Sequence, residues 1–262
     1  MAEAPSERNG FGGLKSVDRA LNVLEVLAGW DEGGVTEIAA ELGVHKSTAF
    51  RLLGSLEAHG LVEQAEDRGK YRLGFGLVRL AGAVSSRLDL TRNVRPVTER
   101  LARDLGETVN LAVLREHYVV NVDQALGPSA ITTQNWVGAL TPLHATSSGK
   151  VLLANEDKPE QQRLLKVAGL ERYTPDTITD PDVLEKELAT VLERGYAITV
   201  GEYEEGLNSI AVPLRGTDGR VLSALSASGP SYRFTPERME ELAETLREAG
   251  IEASRRLSHV GA

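Results

Sequence analysis

In the stretch His144-Ala-Thr-Ser-Ser-Gly-Lys-Val-Leu-Leu-Ala154, small hydroxyl side chains lead through Gly149 and Lys150 into an apolar run with the character of a helix. Three chemistries use residues of these types. A phosphate loop needs a glycine, four residues, then Gly-Lys-Ser/Thr. Here His144 stands at the first glycine and Val151 at the metal-binding hydroxyl, so the spacing fails. A serine–lysine acyl-transfer centre begins with S-x-x-K, which Ser147-Ser-Gly-Lys150 satisfies, but its companion elements S-D-N and K-T-G occur nowhere in the chain. The third chemistry belongs to the helix start itself, whose unpaired N–H groups and dipole favour an anion. Ser147 and Ser148 would add hydroxyl donors at the place where a carboxylate could sit. The small residues Ala145, Ser148 and Gly149 equally suit close packing of a helix on a sheet, and the residues alone leave both uses open.

Other chemistry-bearing residues are sparse. The chain has no cysteine, which removes disulfides, thiol catalysis and cysteine-based zinc sites. Its five histidines, His45, His59, His117, His144 and His259, lack ligand spacing. No metal, no cofactor and no catalytic residue is expected. Glu202, Glu204 and Glu205 around Tyr203 read either as a cation-holding loop or, more simply, as a solvated one. Trp136, between polar residues and Pro142, suits a pocket lid or a core anchor equally.

The elements that must hold these residues are drawn from 262 positions, enough for one large or two modest cores. Hydrophobic residues are 41% and charged residues 26%, ordinary for a globular chain. No apolar run reaches the roughly 20 residues of a membrane span. Residues 1–15, rich in glycine and polar residues, read as a disordered tail, not a signal peptide. Cytoplasmic location is the expectation. A net charge of −9 argues against indiscriminate nucleic-acid binding. Residues 45–80 nevertheless carry six Lys/Arg against four acids, a local excess of +2.

That basic segment has a recognisable order. Val17, Ala20, Leu21, Leu24, Leu27 and Ala28 follow helical spacing, and Gly29 with Asp31–Gly34 is expected to end the helix. A short second helix follows, with Thr36 as its expected N-cap. After Gly43, a third spans about Lys46–His59, with Ala49, Leu52, Leu53 and Leu56 on one face and Lys46, Ser47, Phe50 and Arg51 on the other. Phe50 is expected to pack half-buried. Leu61–Gln64 and Lys70–Leu73 read as a hairpin. Three short helices and a basic-tipped hairpin spell a winged helix-turn-helix, in which a helix enters the major groove and Arg68 and Lys70 add wing contacts. A plain three-helix domain with a solvated polar face is the alternative at this level.

The stretches VTEIAAELGVHKSTAFRLLGSLEAHGLVE and KYRLGFGLVRLAG resemble the DNA-binding domain of the IclR family of bacterial transcriptional regulators. The shared features are a Ser-Thr pair early in the third helix, the Arg-Leu-Leu after it, and a wing ending in Tyr-x-Leu-Gly. The resemblance implies that Lys46, Ser47, Thr48 and Arg51 lie in the recognition helix. Leu77, Leu80, Ala81, Val84 and Leu88 then mark a narrow apolar stripe on a helix over 77–90. It reads as a linker that pairs subunits, with packing against its own domain as the alternative.

From Leu90 the pattern is α+β. Helices are expected at about Asn93–Leu105, from the Ser-Ser-Gly-Lys stretch, at Lys158–Ala168, from Thr179-Asp-Pro-Asp to Gly195, and from Thr235-Pro236 to about Leu257. Strands are expected at Thr108–Leu114, Tyr118–Asp123, near Ala130–Gln134, Tyr196–Val200, Ile210–Pro213 and Val221–Ser226, in a mostly antiparallel sheet. GETVNLAVL, TPLHATSSGKVLLA, RGYAITVGEYEEGLNSIAVPL and LSALSASGP resemble the same family's GAF-like effector-binding domain. The expected organisation is a tail (1–15), a winged helix-turn-helix domain (16–76), a linker helix (77–90) and an effector-binding domain (91–262).

The resemblance implies an effector pocket formed by Ser147, Ser148, Thr199, Ser209, Ser226 and Ser228. Some relatives carry an acid at the position of Thr199 and a cysteine at that of Ser209, so this pocket is the more neutral and suits a small polar carboxylate or amide. The resulting expectation is a ligand-responsive regulator, a repressor of a catabolic operon, acting as a homodimer or homotetramer on palindromic double-stranded DNA, without membrane or enzymatic function. An acyl-transfer enzyme using Ser147 and Lys150, and a DNA-binding protein whose C-terminal domain only oligomerises, are the alternatives.

Overall fold

The computed structural model describes residues 15–65, 69–85, 89–129 and 135–258, and the chain divides into two compact units, 1–87 and 88–262. In the first unit, α1 (Lys15–Trp30) is followed by β1 (Glu32–Gly34), α2 (Val35–Glu41), α3 (Lys46–Ala58), the strands β2 (Val62–Gln64) and β3 (Lys70–Leu73), and α4 (Gly76–Ser85). The order β1-β3-β2 gives the wing a third strand, with Glu32 opposite Arg72. Sequence pattern did not show it, because Glu-Gly-Gly has no strand character and is extended only by pairing with β3.

Three further expectations change here. α1 runs through Gly29 to Trp30 and ends where Asp31 adopts a left-handed φ of 62°. Its buried stripe is Val23 and Leu27 with Ala20 and Leu24, while Val17 and Leu21 face solvent. Thr36 does not cap α2; Gly34 is the N-cap, and its N–H donates to Glu37 Oε2 at 2.8 Å. Phe50 is 60% exposed, so it does not pack half-buried. The face of α3 that does pack is Ala49, Leu53 and Leu56, against Val23, Leu27, Ile38 and Tyr71.

The second unit opens with α5 (Asp89–Leu105), β4 (Thr108–Arg115), β5 (Tyr118–Ala125) and β6 (Leu140–Thr141). Then come α6 (Ser147–Ala154), α7 (Lys158–Ala168), α8 (Pro181–Arg194), β7 (Ala197–Val200), β8 (Leu207–Arg215), β9 (Val221–Pro230) and α9 (Pro236–Ser258). Local signals set several ends. Asp157 accepts from Glu160 N at the start of α7, and Asp180 from Asp182 N and Val183 N ahead of Pro181 at α8. Gly195, at φ 81°, closes α8.

Where a single helix was expected over 77–90, one ends at Ser85 and the next begins at Asp89, with 86–88 outside the described residues. The strand expected near Ala130–Gln134 also lies outside them.

All neighbouring strands of the six-stranded sheet, order β6-β5-β4-β9-β8-β7, run antiparallel. One face packs against α5 and α9 through Val109, Leu111, Ile210, Val212, Leu225 and Leu246. The other packs against α6, α7 and α8 through Ala112, Ala197, Ala211, Ala224, Leu153, Leu164 and Leu188. Each fully buried leucine contributes about 1.5–3 kcal/mol. The alanine-rich second face lets α6 approach the sheet, and the strand positions just beyond those alanines are polar.

Candidate functional site

Those polar positions form rows across the strands. Thr199 on β7 pairs with Ser209 on β8, Ser209 with Ser228 on β9, and Ser228 with Thr108 on β4. The next row along β4 and β9 is Asn110 opposite Ser226. Because side chains alternate along a strand, each row projects toward the α6 side.

The start of α6 stands over them. Thr146 is its N-cap: Oγ1 accepts from Gly149 N at 3.1 Å and donates to the Pro142 carbonyl at 2.8 Å. Gly149 is required by space, since a Cβ there would lie 2.4 Å from the Leu143 carbonyl oxygen. The hydroxyls of Ser147 and Ser209 are 2.8 Å apart, and those of Thr199 and Ser209 2.7 Å apart, which ties the helix start to two strands.

Between helix start and strand rows lies a cavity of ≈ 60 Å³. Ser147, Ser148, Thr199, Ser209, Ser226 and Ser228 all line it. The side chains brought in beside them are Asn110, Asn121, Thr141, Trp136 and Tyr203. Sequence reading passed over Asn110, Asn121 and Thr141. For Asn110 a signal was present: it is a carboxamide at an inward position of a strand that otherwise reads as core. None of the described residues lining the cavity is charged. Its polar contribution is therefore hydroxyls, carboxamides and the helix N-terminus.

Trp136 belongs to this wall, with its backbone N–H donating to Gln124 Oε1 at 3.2 Å. Its ring lies 6.2 Å from that of Tyr203, which meets Tyr173 edge-on at 5.2 Å. Burial raises the pKa of both phenols, that of Tyr173 to about 12 with help from Glu171, so both are neutral donors at physiological pH.

Lys150 serves a different purpose from its serine neighbours. It is 1% exposed, and its Nζ donates to Glu202 Oε1 at 2.6 Å. Burial pushes the Glu202 carboxyl up and Lys150 pulls it down, with burial the larger influence. The Gly201–Glu202 segment is further pinned by Thr174 Oγ1, which donates to the Gly201 carbonyl at 2.7 Å, and by Thr177 Oγ1, which donates to that of Glu202 at 2.6 Å. The loop thus splits: Glu204 and Glu205 are solvated, while Glu202 is a buried anchor. Ser147 and Lys150, held by Ser209 and Glu202, do not form the nucleophile–base hydrogen bond that acyl transfer uses. His144 is buried and donates through Nε2 to the Glu171 carbonyl at 2.8 Å; burial lowers its pKa, so it is neutral.

In the first unit, the opening turn of α3 faces solvent. The His45 ring caps the helix, its Nδ1 accepting from Ser47 N, and Ser47 Oγ lies 2.9 Å from the same nitrogen. Lys46, Ser47 and Arg51 are exposed and Thr48 is half-buried. Lys70 on the wing donates to Glu32 at 2.7 Å, and Arg72 pairs with Glu63. Arg68 lies outside the described residues. An exposed helix carrying Lys, Ser, Thr and Arg beside a three-stranded wing is the geometry that reads a major groove.

Comparison with known proteins gives the same division. Residues 16–66 match the IclR helix-turn-helix domain, and residues 82–255 match the bacterial transcriptional regulator IclR C-terminal domain. The HTH-type transcriptional regulator XynR of Escherichia coli K12 is 33% identical over 94% of this chain and 98% of its own. The HTH-type transcriptional repressor AllR of the same strain is 32% identical over 92% and 90%. Among solved structures, an IclR homologue from Microbacterium hydrocarbonoxydans complexed with 4-hydroxybenzoate aligns with a TM-score of 0.76 at 32% identity, covering 92% of this chain and 97% of that one. With both of its domains accounted for, the chain belongs to the IclR family of bacterial transcriptional regulators.

Proposed function

We propose that this protein is a cytoplasmic repressor of a catabolic operon, released from or fixed on its operator by a small carboxylate. Paired copies set two α3 helices on the half-sites of a palindrome. Lys46, Ser47, Thr48 and Arg51, with Arg68 and Lys70 from the wing, contact the DNA. The carboxylate sits at the α6 N-terminus among Ser147, Ser148, Thr199, Ser209, Ser226 and Ser228. It acts through its differential affinity for two arrangements of the paired subunits. The naming of AllR as a repressor supports the sign of regulation. Phe75 beside α4, 80% exposed, and Val78 and Leu80 on it support pairing through an apolar helix face that needs a partner. The commitments of Ser147 and Lys150 support a binding role over an enzymatic one.

The observation that carries this reading is the uncharged, hydroxyl-rich cavity at a helix N-terminus. Its N–H donors accept an anion without the desolvation that a buried cation would require. The test is fluorescence anisotropy on the protein's own upstream DNA against a scrambled duplex at two salt concentrations, repeated with a panel of small carboxylates. Sequence-dependent binding altered by one acid is expected. Ser148→Leu, which fills the cavity, removes that response and leaves DNA affinity within about twofold, because it changes none of the side chains proposed to touch DNA. Binding that is weak on both duplexes and vanishes with salt would reflect phosphate contacts alone and reject the assigned operator. An acid response that survives Ser148→Leu would move the pocket elsewhere.

A further inference from the structure

The six-stranded sheet ends at β7, which pairs with β8 on one side and has no strand on the other among the described residues. Two neighbours fix which of its backbone groups face outward. Gly201 N–H donates to the Leu207 carbonyl at 3.0 Å, toward β8. Pro213 of β8 has no N–H and stands opposite Ala224, so its backbone turns away from β9, and those of Ala211 and Ser209 in step with it turn to β7. Ala197 and Thr199, opposite Ala211 and Ser209, therefore carry the β7–β8 ladder. Tyr196, Ile198 and Val200 point their backbone groups outward. The Tyr196 carbonyl accepts from Arg194 Nε at 2.7 Å, whereas none of the described residues pairs with the backbone of Ile198 or Val200 on that side.

This edge opens onto a groove of ≈ 470 Å³, lined by Ile198 and Val200, by Asp176 and Ile178 ahead of α8, and by Pro236 and Glu240 of α9. Val200 is 41% exposed. An open strand edge in a groove is where an extended segment adds a strand, its main chain giving affinity and its alternate side chains selectivity. Charge narrows the occupant. The two cations of the groove, Lys150 and Arg194, are taken by Glu202 and Glu187. Asp176 and Glu240 have no cationic partner among the described residues. Two copies of this edge set face to face would oppose like charges, which is destabilising across a strand pair.

We propose that the β7 edge is a docking site for an extended basic segment of a partner protein, which adds a seventh strand. Ile198 packs on the α9 side of the sheet, and Ala197 on the α8 side with Ile178. Side chains of the added strand alternate in the same way. Those beside Ile198 and Val200 are apolar, and those on the side of Asp176 and Ile178 are Lys or Arg.

The probe is a fluorescein-labelled peptide, Lys-Val-Lys-Val-Lys-Val flanked by glycines, titrated with the full-length protein by fluorescence polarisation. Saturable binding is expected, at least about tenfold tighter than that of a Glu-Val peptide of the same length. Backbone pairing uses alternate residues of the added strand. Backbone N-methylation of the valines and of the lysines is therefore expected to differ: one set loses at least about tenfold and the other stays within about threefold. Val200→Pro removes an outward N–H and spares the β8 ladder, and should weaken the probe at least about fivefold. Asp176→Lys should weaken it at least about threefold without altering the edge. Equal effects of the two methylations, or full binding by both variants, would mean that a cation adsorbs to an acidic chain, and overturns the docking site. A probe that does not bind at all overturns it too. If Val200→Pro does not fold, the methylated pair and Asp176→Lys decide. Sedimentation velocity of Val200→Pro tests the remaining occupant: an unchanged oligomer is expected, and a smaller one assigns the edge to contact between copies and overturns the foreign partner.

Discussion

The opening turns of α3 and α6 are built from nearly the same residues and meet different surroundings. One reads His45-Lys-Ser-Thr48, the other Thr146-Ser-Ser-Gly-Lys150, and each is capped by a side chain that accepts from a backbone N–H two or three residues on. At α3 the cap, Lys46 and Arg51 are in solvent. Their charges are hydrated, so they can exchange water and counterions for phosphate and base edges at little cost. At α6 the serines are buried against the sheet, and Lys150 is enclosed with Glu202. There the lysine is a strut, and only the hydroxyls face the cavity. Capping chemistry decides where a helix begins; burial decides what that beginning meets.

The largest effect that would break this contrast is at Lys150. Lys150→Met leaves Glu202 buried and unpaired, and is expected to cost about 3–5 kcal/mol in urea unfolding, with much of that loss recovered in the double variant Lys150→Met/Glu202→Leu. A loss no larger than that of a surface lysine would mean the pair is not the strut described. Next comes Arg51. Arg51→Ala is expected to cost about 1–3 kcal/mol of operator affinity and to relax sequence preference, with unfolding stability unchanged to about 0.5 kcal/mol. Anisotropy on cognate and scrambled duplexes reads the first and urea titration the second. Unchanged specific affinity would remove α3 from the recognition role.

Smaller effects sharpen the comparison. Thr146→Val deletes the α6 cap and should cost about 1 kcal/mol, in the usual range for a lost N-cap, and His45→Ala at exposed α3 should cost less. Equal losses would mean that burial does not weight the two caps differently. The smallest effect is that of His144 on pH dependence. Burial lowers its pKa in the folded protein from the ordinary 6.5, so the unfolded chain takes up the proton first as pH falls. Its contribution is complete above 6.5 and lost as the pH drops below that value toward the folded pKa. His144→Gln, which retains a donor for the Glu171 carbonyl, should flatten the fall in Tm between neutral and mildly acidic buffer; an identical slope would show that other groups carry it.

Much of the fold was legible because its signals are local. Asp157 and Asp180 mark helix starts through bonds to backbone groups two or three residues away, Gly195 marks an end, and Lys70–Leu73 and Lys158–Ala168 fall where periodicity puts them. The six hydroxyls named from family resemblance line one cavity. What misled was equally local: Thr36 has the chemistry of a cap, but Gly34 and Glu37 take that place. Val17 and Leu21 have helical spacing, but the neighbouring stripe is the one the domain buries.

Sequence by itself determined the family, the two-part organisation of helices and strands, and the presence of a hydroxyl-rich helix start, because these depend on residues within a turn or a strand of one another. Tertiary structure alone decided that Lys150 pairs with Glu202, 52 positions away, that Glu32–Gly34 becomes a strand, and that Asn110 is left with an unsatisfied oxygen beside the serines. Those outcomes are set by which side chains the sheet registers bring together away from water. In that setting an unpaired charge is costly enough to dictate its partner, as Glu202 does for Lys150.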